Sequence, residues 1–261
     1  MGQSGPVFRK ILTVRIDATT YEDACNRIQC WAEQRISGYV VAANVHVVMT
    51  AYWHQAYQEV LRRALLVTSD GMPIVFGMRM LGVSHQSRVY GPDLMLAWCE
   101  RAAQLQMPIY LYGCTENQLV KAVQTLRQRF PELPIAGYHA PPFRPLTPEE
   151  EKADCDRIIR SGARVVFVSL GCPKQEYWMA RQQGRLPMVM MGVGAAISFL
   201  SGEINQAPRW MMRCSLEWLY RFTQEPRRLW QRYLINNPAF LLLFGLQLLG
   251  YWARGIKKAI D

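Results

Sequence analysis

Short runs of Val, Ile, Leu and Met recur along the chain, mostly ending in Gly, Asn or Asp and separated by longer amphipathic stretches. The runs are Tyr39–Ala43, Ala64–Thr68, Ile109–Tyr112, Pro134–Ala136, Arg164–Leu170 and Pro187–Val193. Continuously apolar runs this short read as strands buried on both faces, as in a parallel sheet. The intervening stretches read as helices: Ala51–Arg63, Pro92–Leu105, Glu116–Phe130, Pro148–Arg160 and Pro173–Gln183. Thr147, followed by Pro148, Glu149 and Glu150, opens one of them as an N-cap with acids at the positive end of the dipole. Ile11–Ile16 and Tyr21–Ile36 read as a leading strand and helix. The alternation predicts an α/β, doubly wound, mostly parallel sheet.

The pattern changes after Gly202, where Trp, Arg and Leu recur at helical spacing. A boundary near Gln206–Pro208 divides an α/β core (1–206) from a helical appendage (207–261). From Ala207 to Asp261, nine Lys and Arg face three acids, giving +6 of the chain's +10. Such a balance favours an anionic partner: a phosphorylated small molecule, an anionic membrane surface or nucleic acid. Within it, Pro238–Ala253 is strongly apolar, yet shorter than a spanning helix needs and interrupted by Gln247, so it is expected to lie on a membrane interface. The N-terminus carries no signal-peptide pattern. Seven scattered cysteines, with no CxxC pair, fit a reducing compartment. The four histidines form no metal-ligand cluster, and no metal is expected.

In an open parallel sheet, ligands bind beyond the carboxyl ends of the strands. There the sequence places Asn44, Asp70 with Gly71, Gly113, the turn Gly171-Cys172-Pro173-Lys174-Gln175-Glu176, and Gly194. Asp70 is either a general base reaching a substrate hydroxyl or a cap for the next helix. The turn at Gly171 is either a phosphate cradle, with Lys174 and Gln175 as added donors, or an ordinary strand–helix turn. Asp93 either caps a helix or reaches the crevice, with Arg88 as a cation beside it. Arg221, Arg227, Arg228 and Arg232 make a basic face interleaved with Trp210, Trp218, Tyr220 and Trp230, suiting a membrane interface or a pyrophosphate. Asp154-Cys155-Asp156 is literally a DxD, but it falls inside the helix Pro148–Arg160 and not at a strand end.

Taken in order, Thr68-Ser69-Asp70-Gly71, Arg88-Val89-Tyr90-Gly91-Pro92-Asp93-Leu94, Gly171-Cys172-Pro173-Lys174-Gln175-Glu176, Ala207-Pro208-Arg209-Trp210, Leu216-Glu217-Trp218-Leu219-Tyr220-Arg221 and Glu225-Pro226-Arg227-Arg228 resemble the WecG/TagA/CpsF glycosyltransferases, over roughly Ile11 to Tyr233. The resemblance implies a Rossmann-like core with a C-terminal, membrane-docking helical appendage. It implies inverting, metal-independent transfer of a sugar from a UDP-sugar to a polyprenyl-pyrophosphate-linked saccharide. The setting it implies is the cytoplasmic face of the bacterial inner membrane, in polysaccharide synthesis, with the protein held peripherally on the anionic surface. By the same resemblance Asp70 matches the catalytic base, and Asn44, Arg88, Asp93 and Gln175 match pocket residues. Arg221, Arg227 and Arg228 fall in the acceptor-binding region. Gly171, Lys174, Gly194 and Ser198 complete the candidate substrate contacts.

Three positions depart from the family pattern. Ala42 replaces the Thr of a Thr-x-Asn motif, Ser198 stands where an Asp is frequent, and Gln206 replaces an Arg before Ala-Pro. These departures leave a second hypothesis standing, a non-catalytic binder of nucleotide sugars or lipid pyrophosphates. A nucleic-acid binder is disfavoured, because the excess charge accompanies an apolar tail and no nucleic-acid motif occurs. A second copy of the chain is a further candidate partner.

Overall fold

The structure is a computed structural model and describes residues 7–260. An antiparallel hairpin of β1 (Phe8–Ile11) and β2 (Val14–Asp17) leads into α1 (Tyr21–Glu33). The expected single strand Ile11–Ile16 is thus two strands, because Leu12 adopts φ 53° and turns the chain between them. Next come β3 (Gly38–Ala43), α2 (Val45–Trp53), α3 (Gln55–Arg62), β4 (Leu66–Ser69), α4 (Met72–Met80) and α5 (Gly91–Gln104). They are followed by β5 (Ile109–Gly113), α6 (Glu116–Arg129), β6 (Ile135–His139), α7 (Pro148–Arg160), β7 (Val165–Ser169), α8 (Lys174–Gln182), β8 (Val189–Gly192) and α9 (Ala196–Leu200). The chain finishes with α10 (Arg209–Arg213), α11 (Glu217–Gln224) and α12 (Pro226–Ile260).

Among the described residues, six strands form one sheet, every pair parallel, in the order β4-β3-β8-β7-β5-β6. The apolar runs were therefore strands for the expected reason: β5, β7 and β8 are buried at every position. Alternate residues feed two apolar layers. Tyr39 and Val41 of β3, with Val166 and Val168 of β7, face a layer that includes residues of α2, α3, α7 and α8. Val40, Val165 and Phe167 face the other, with α1, α5 and α6. The free edge of β4 is covered, since the Val67 N–H donates to the buried carboxylate of Asp17 at 2.9 Å.

Two expectations need correcting. The stretch Ala51–Arg63 is not one helix. It belongs to α2 and α3, which meet at His54, where the backbone is extended (φ −128°, ψ 104°). The helix that the capping alternative for Asp70 implied does form, as α4, but Gly71 rather than Asp70 takes its N-cap, and Pro73 fits the first turn.

The apolar tail is longer than expected. Helix α12 carries a 21-residue stretch, Tyr233–Ala253, long and apolar enough by length and composition to cross a membrane. One of its faces is nevertheless committed to the protein. Phe240, Phe244 and Leu248 are buried in the same apolar layer as β3 and β7. Gln247, the polar interruption, accepts from Leu12 N and donates to the Lys10 carbonyl, both at 2.7 Å. The opposite face leaves Leu241, Leu242, Leu246 and Leu249 about two-thirds exposed.

Candidate active site

The carboxyl ends of β3, β4, β7 and β8 open into a cleft of about 910 Å³. A smaller pocket of about 120 Å³ lies between the sheet and α11, lined by Met212, Glu217, Trp218 and Tyr233 from the C-terminal segment. Asn44, His46, Asp70, Tyr90 and Arg221 line both, so Asp70 stands at the junction of the two spaces.

Asp70 follows β4 and is 8% exposed. Its backbone is fixed by its own N–H to the Ala43 carbonyl (2.9 Å) and by the Arg88 Nε donating to its carbonyl. Its Oδ1 accepts the N–H of Gly91, the first residue of α5, at 2.7 Å. Asp70 therefore does not cap its own following helix, whose N-cap is Gly71; it meets the N-terminus of α5 across the fold. Among the described residues its Oδ2 receives only a long bond from Asn44 Nδ2, at 3.4 Å. Burial pushes the Asp70 carboxyl's pKa up; Arg88 and the Gly91 N–H oppose this, Glu217 adds to it, and the net direction is upward. A buried carboxylate with raised pKa, one oxygen tied down and the other at a cavity junction, is equipped to take a proton.

Asn44 is positioned by secondary structure, as the N-cap of α2 with Oδ1 accepting from Val47 N at 3.3 Å. Arg88 is held from three sides. It stacks on the Tyr90 ring at 4.1 Å, bonds the Asp70 carbonyl, and forms a 2.6 Å ion pair with Glu217 of α11. Burial disfavours the cation, but Asp70 and Glu217 outweigh it and raise its pKa above the ordinary value. Tyr90 donates its hydroxyl to the other oxygen of Glu217 at 2.8 Å.

The wide cleft is lined differently. Gly171 takes φ 77° and Gly194 φ 56°, both left-handed, and a Cβ at either would meet nothing within 4 Å. The backbone can thus turn there while a ligand approaches closely. Gln175 is buried beneath, its Oε1 accepting Gly194 N (3.3 Å) and its Nε2 donating to Glu176 (2.7 Å). Lys174 lies on the wall at the first position of α8. Ser198 is 9% exposed and accepts from Gln118 Nε2 at 3.4 Å, near Cys114 and Ser169. Ala42 contributes a methyl to the same wall.

Other candidates lie elsewhere. Asp93 lines neither space; it occupies the first turn of α5, whose N-cap is Tyr90, and hydrogen-bonds Tyr21. Burial raises its pKa against the pull of Arg209 and Arg88. Arg221 enters the site, 6.0 Å over the Phe199 ring, with its Nε buried and, among the described residues, without a hydrogen-bond partner. Arg227 is exposed on α12, and the side chains of Arg228 and Arg232 lie outside the described residues. The DxD is not a ligand pair: Asp154 is buried on α7, bonded to Tyr112 and His139.

Sequence reasoning missed Glu217 and Tyr90 as individual residues. One signal was available, since Glu217 is one of three acids in a strongly basic segment. Nothing local could show that it folds back onto Arg88.

The sequence matches the Glycosyl transferase WecG/TagA/CpsF family over residues 9–254, nearly its whole length and including every residue of this cluster. The chain belongs to that family. Among its curated relatives is an N-acetylglucosaminyldiphosphoundecaprenol N-acetyl-β-D-mannosaminyltransferase of Staphylococcus aureus (strain MW2), 30% identical over 235 residues, covering 88% of this chain and 89% of the relative. A protein of the same name from Bacillus spizizenii is 29% identical over 212 residues, covering 81% of this chain and 80% of the relative. In this glycosyltransferase the family match runs through α10, α11 and most of α12, so the helices that close over the small pocket belong to the family's shared extent.

Proposed function

We propose that the protein transfers an N-acetylhexosamine, N-acetylmannosamine in the first instance, from a UDP-sugar to an N-acetylglucosaminyl-diphospho-polyprenol. The relatives' names supply the sugar and the acceptor. The carrying observation is Asp70 at the junction of two spaces of unequal size. The donor occupies the wide cleft, with its diphosphate against the Gly171 turn, Lys174 and the Gly194 backbone. The acceptor sugar enters beneath α11. Asp70 Oδ2 takes the proton from the acceptor hydroxyl as that oxygen attacks the anomeric carbon. The bond from that carbon to the UDP oxygen breaks on the opposite face, which inverts the configuration. UDP departs with the bonding pair, and nearby cations and backbone N–H groups stabilise its charge.

Arg221 supports the acceptor assignment, because it brings a cation with a buried, unpartnered N–H to both spaces. An acceptor diphosphate satisfies it. Metal-independent transfer is part of the proposal, with Lys174 and the Gly171 and Gly194 backbone as the groups offered to the charge of the departing UDP. The exposed leucines of α12, on a segment of net +6, suit peripheral attachment to an anionic bilayer. The cytoplasmic face is the side proposed for that attachment, and the proposed UDP-sugar donor is what supports it.

The test is UDP release from a panel of UDP-sugars with a synthetic polyprenyl-diphosphate-N-acetylglucosamine acceptor, in EDTA throughout. Acceptor-dependent release from UDP-N-acetylmannosamine is expected. Release that is abolished by EDTA and restored by Mg²⁺ would overturn metal independence, and no acceptor-dependent release with any donor would overturn the transfer itself.

A further inference from the structure

Glu217 is the residue that the reaction scheme leaves unused and the geometry singles out. It is the first residue of α11, a position where an acid often serves only the helix dipole and stays in solvent. Here its side chain is 14% exposed, and each oxygen has its own partner from a distant part of the chain. Oε2 meets Arg88 Nη2 at 2.6 Å, and Oε1 accepts the Tyr90 hydroxyl at 2.8 Å. Both partners belong to the loop that hands the Gly91 N–H to Asp70. That loop is also tied to β4 through Val89 N to the Ser69 carbonyl.

The bonds of Arg88 explain what such a carboxylate does. The guanidinium uses Nε on the Asp70 carbonyl and Nη2 on Glu217, while its face rests on Tyr90. It forms no ion pair with the Asp70 carboxylate itself, although it is anchored to that residue's backbone. Remove the charge of Glu217, and Asp70 and Asp93 are the carboxylates left to attract Arg88; Asp70, whose carbonyl already holds the guanidinium, is the stronger of the two. A guanidinium paired with Asp70 would occupy the oxygen that has to take the proton, and would weaken it as a base.

We propose that Glu217 is a positioning residue: by holding Arg88 and Tyr90 from α11, it keeps the guanidinium off the Asp70 carboxylate and so keeps Asp70 competent as a base. Glu217 shares α11 with the pocket wall residues Trp218 and Arg221, so the helix that lines the small pocket also holds Arg88. This inference rests on Asp70 being the base of the transfer proposed above.

The charged and titratable groups around Asp70 are Arg88, Glu217, the phenols of Tyr90 and Tyr21, Asp93 on the first turn of α5, and the pocket-lining His46 and Arg221. Burial pushes Tyr21 up to about 12 and Tyr90 higher, so both phenols stay neutral over an ordinary assay range. Glu217 acts on Asp70 in the raising direction and Arg88 in the lowering direction. Loss of the Glu217 charge is therefore expected to move the titration of Asp70 to lower pH.

The experiment compares full-length wild type, Glu217→Gln and Glu217→Asp in two readouts. The first is the pH profile of kcat and the donor KM. The second is the ¹³C carboxyl titration of Asp70 in aspartate-labelled protein, assigned by its disappearance in Asp70→Asn, which separates it from His46 and needs no turnover. For Glu217→Gln, the acid limb and the Asp70 signal should both move down by about one pH unit. Its kcat should fall on the order of tenfold, with donor KM within about twofold. Glu217→Asp, which keeps the charge, should lie between the two and serves as the second variant should Glu217→Gln not fold. A lowered melting temperature with limb and Asp70 titration unmoved would reduce Glu217 to a structural tie and overturn the proposal. If the wild type transfers no sugar, the proposed reaction fails, while the Asp70 titration still decides whether Glu217 governs it.

Discussion

Asp70 and Asp154 are both buried aspartates with a tyrosine and an arginine nearby, yet they are built for opposite ends. Both oxygens of Asp154 are filled: Tyr112 donates to Oδ2 at 2.7 Å, and His139 Nε2 lies 3.0 Å from Oδ1. Arg157 meets the other nitrogen of His139, which makes Nδ1 the acceptor and Nε2–H the donor. Burial and Arg157 lower the pKa of that histidine against the pull of Asp154. Tyr112 in turn stacks on Trp178, ring centroids 4.4 Å apart, so the cluster stitches α7 and α8 to the sheet. At Asp70 one oxygen is tied to a helix N-terminus, and the other keeps a single long bond facing a cavity. The difference teaches how a buried carboxylate that ties elements together differs from the one proposed here as the base. The proposed base is left partly unfilled, and its neighbours hold position without filling both of its oxygens.

The strongest way to break the comparison is to exchange the behaviours expected of the two residues. Asp70→Asn should lower kcat/KM about 10³-fold, measured by UDP release. It should not lower the melting temperature. A carboxyl whose folded-state pKa is raised ionises first in the unfolded chain, so native stability falls as pH climbs from the unfolded to the folded pKa, and the amide removes that penalty. A large loss of stability in Asp70→Asn would place this residue with Asp154. Conversely, Asp154→Asn should cost about 1–3 kcal/mol in denaturant unfolding, while kcat stays within a few-fold and the acid limb does not move. Wild-type activity should rise with pH through a limb above the ordinary carboxylate range, as the raised Asp70 pKa requires.

Two smaller effects sharpen the same idea of groups left unfilled for a partner. The Arg221 Nε is buried without a partner beside the pocket. Arg221→Gln should raise acceptor KM about tenfold and leave donor KM nearly unchanged; equal effects on both would move Arg221 to the donor. At the largest scale, the outer face of α12 is apolar and uncovered. The double variant Leu241→Asp, Leu246→Asp should lose flotation with anionic vesicles, while turnover of a short-chain soluble acceptor stays within about twofold. Unchanged flotation would show that the stripe is not the membrane contact.

Much of this molecule was legible from pattern. Short apolar runs such as Val165–Ser169 became strands because a parallel sheet sandwiched between helices demands burial on both faces. Thr147 became an N-cap, with its Oγ1 accepting from Glu150 N at 3.2 Å, because that bond is local. Asn44, Asp70, Gly171 and Gly194 could be named because strand ends converge by geometry alone. Periodicity could not separate α2 from α3 at His54 or divide β1 from β2 at Leu12, since those breaks lie in backbone torsions rather than in polarity.

What the sequence determined by itself is therefore the alternation, the layer order it implies, and the strand ends at which chemistry gathers. Each follows from interactions between residues a few positions apart. Only the tertiary structure decided that Asp70 meets α5 through Gly91, that Asp154 is a filled structural site, and that α12 commits one face to the core through Phe240, Phe244 and Leu248. It alone brought Glu217 against Arg88, 129 residues away along the chain. Such contacts arise when distant segments bury a shared surface, and no local preference records which of the available acids will find the buried arginine.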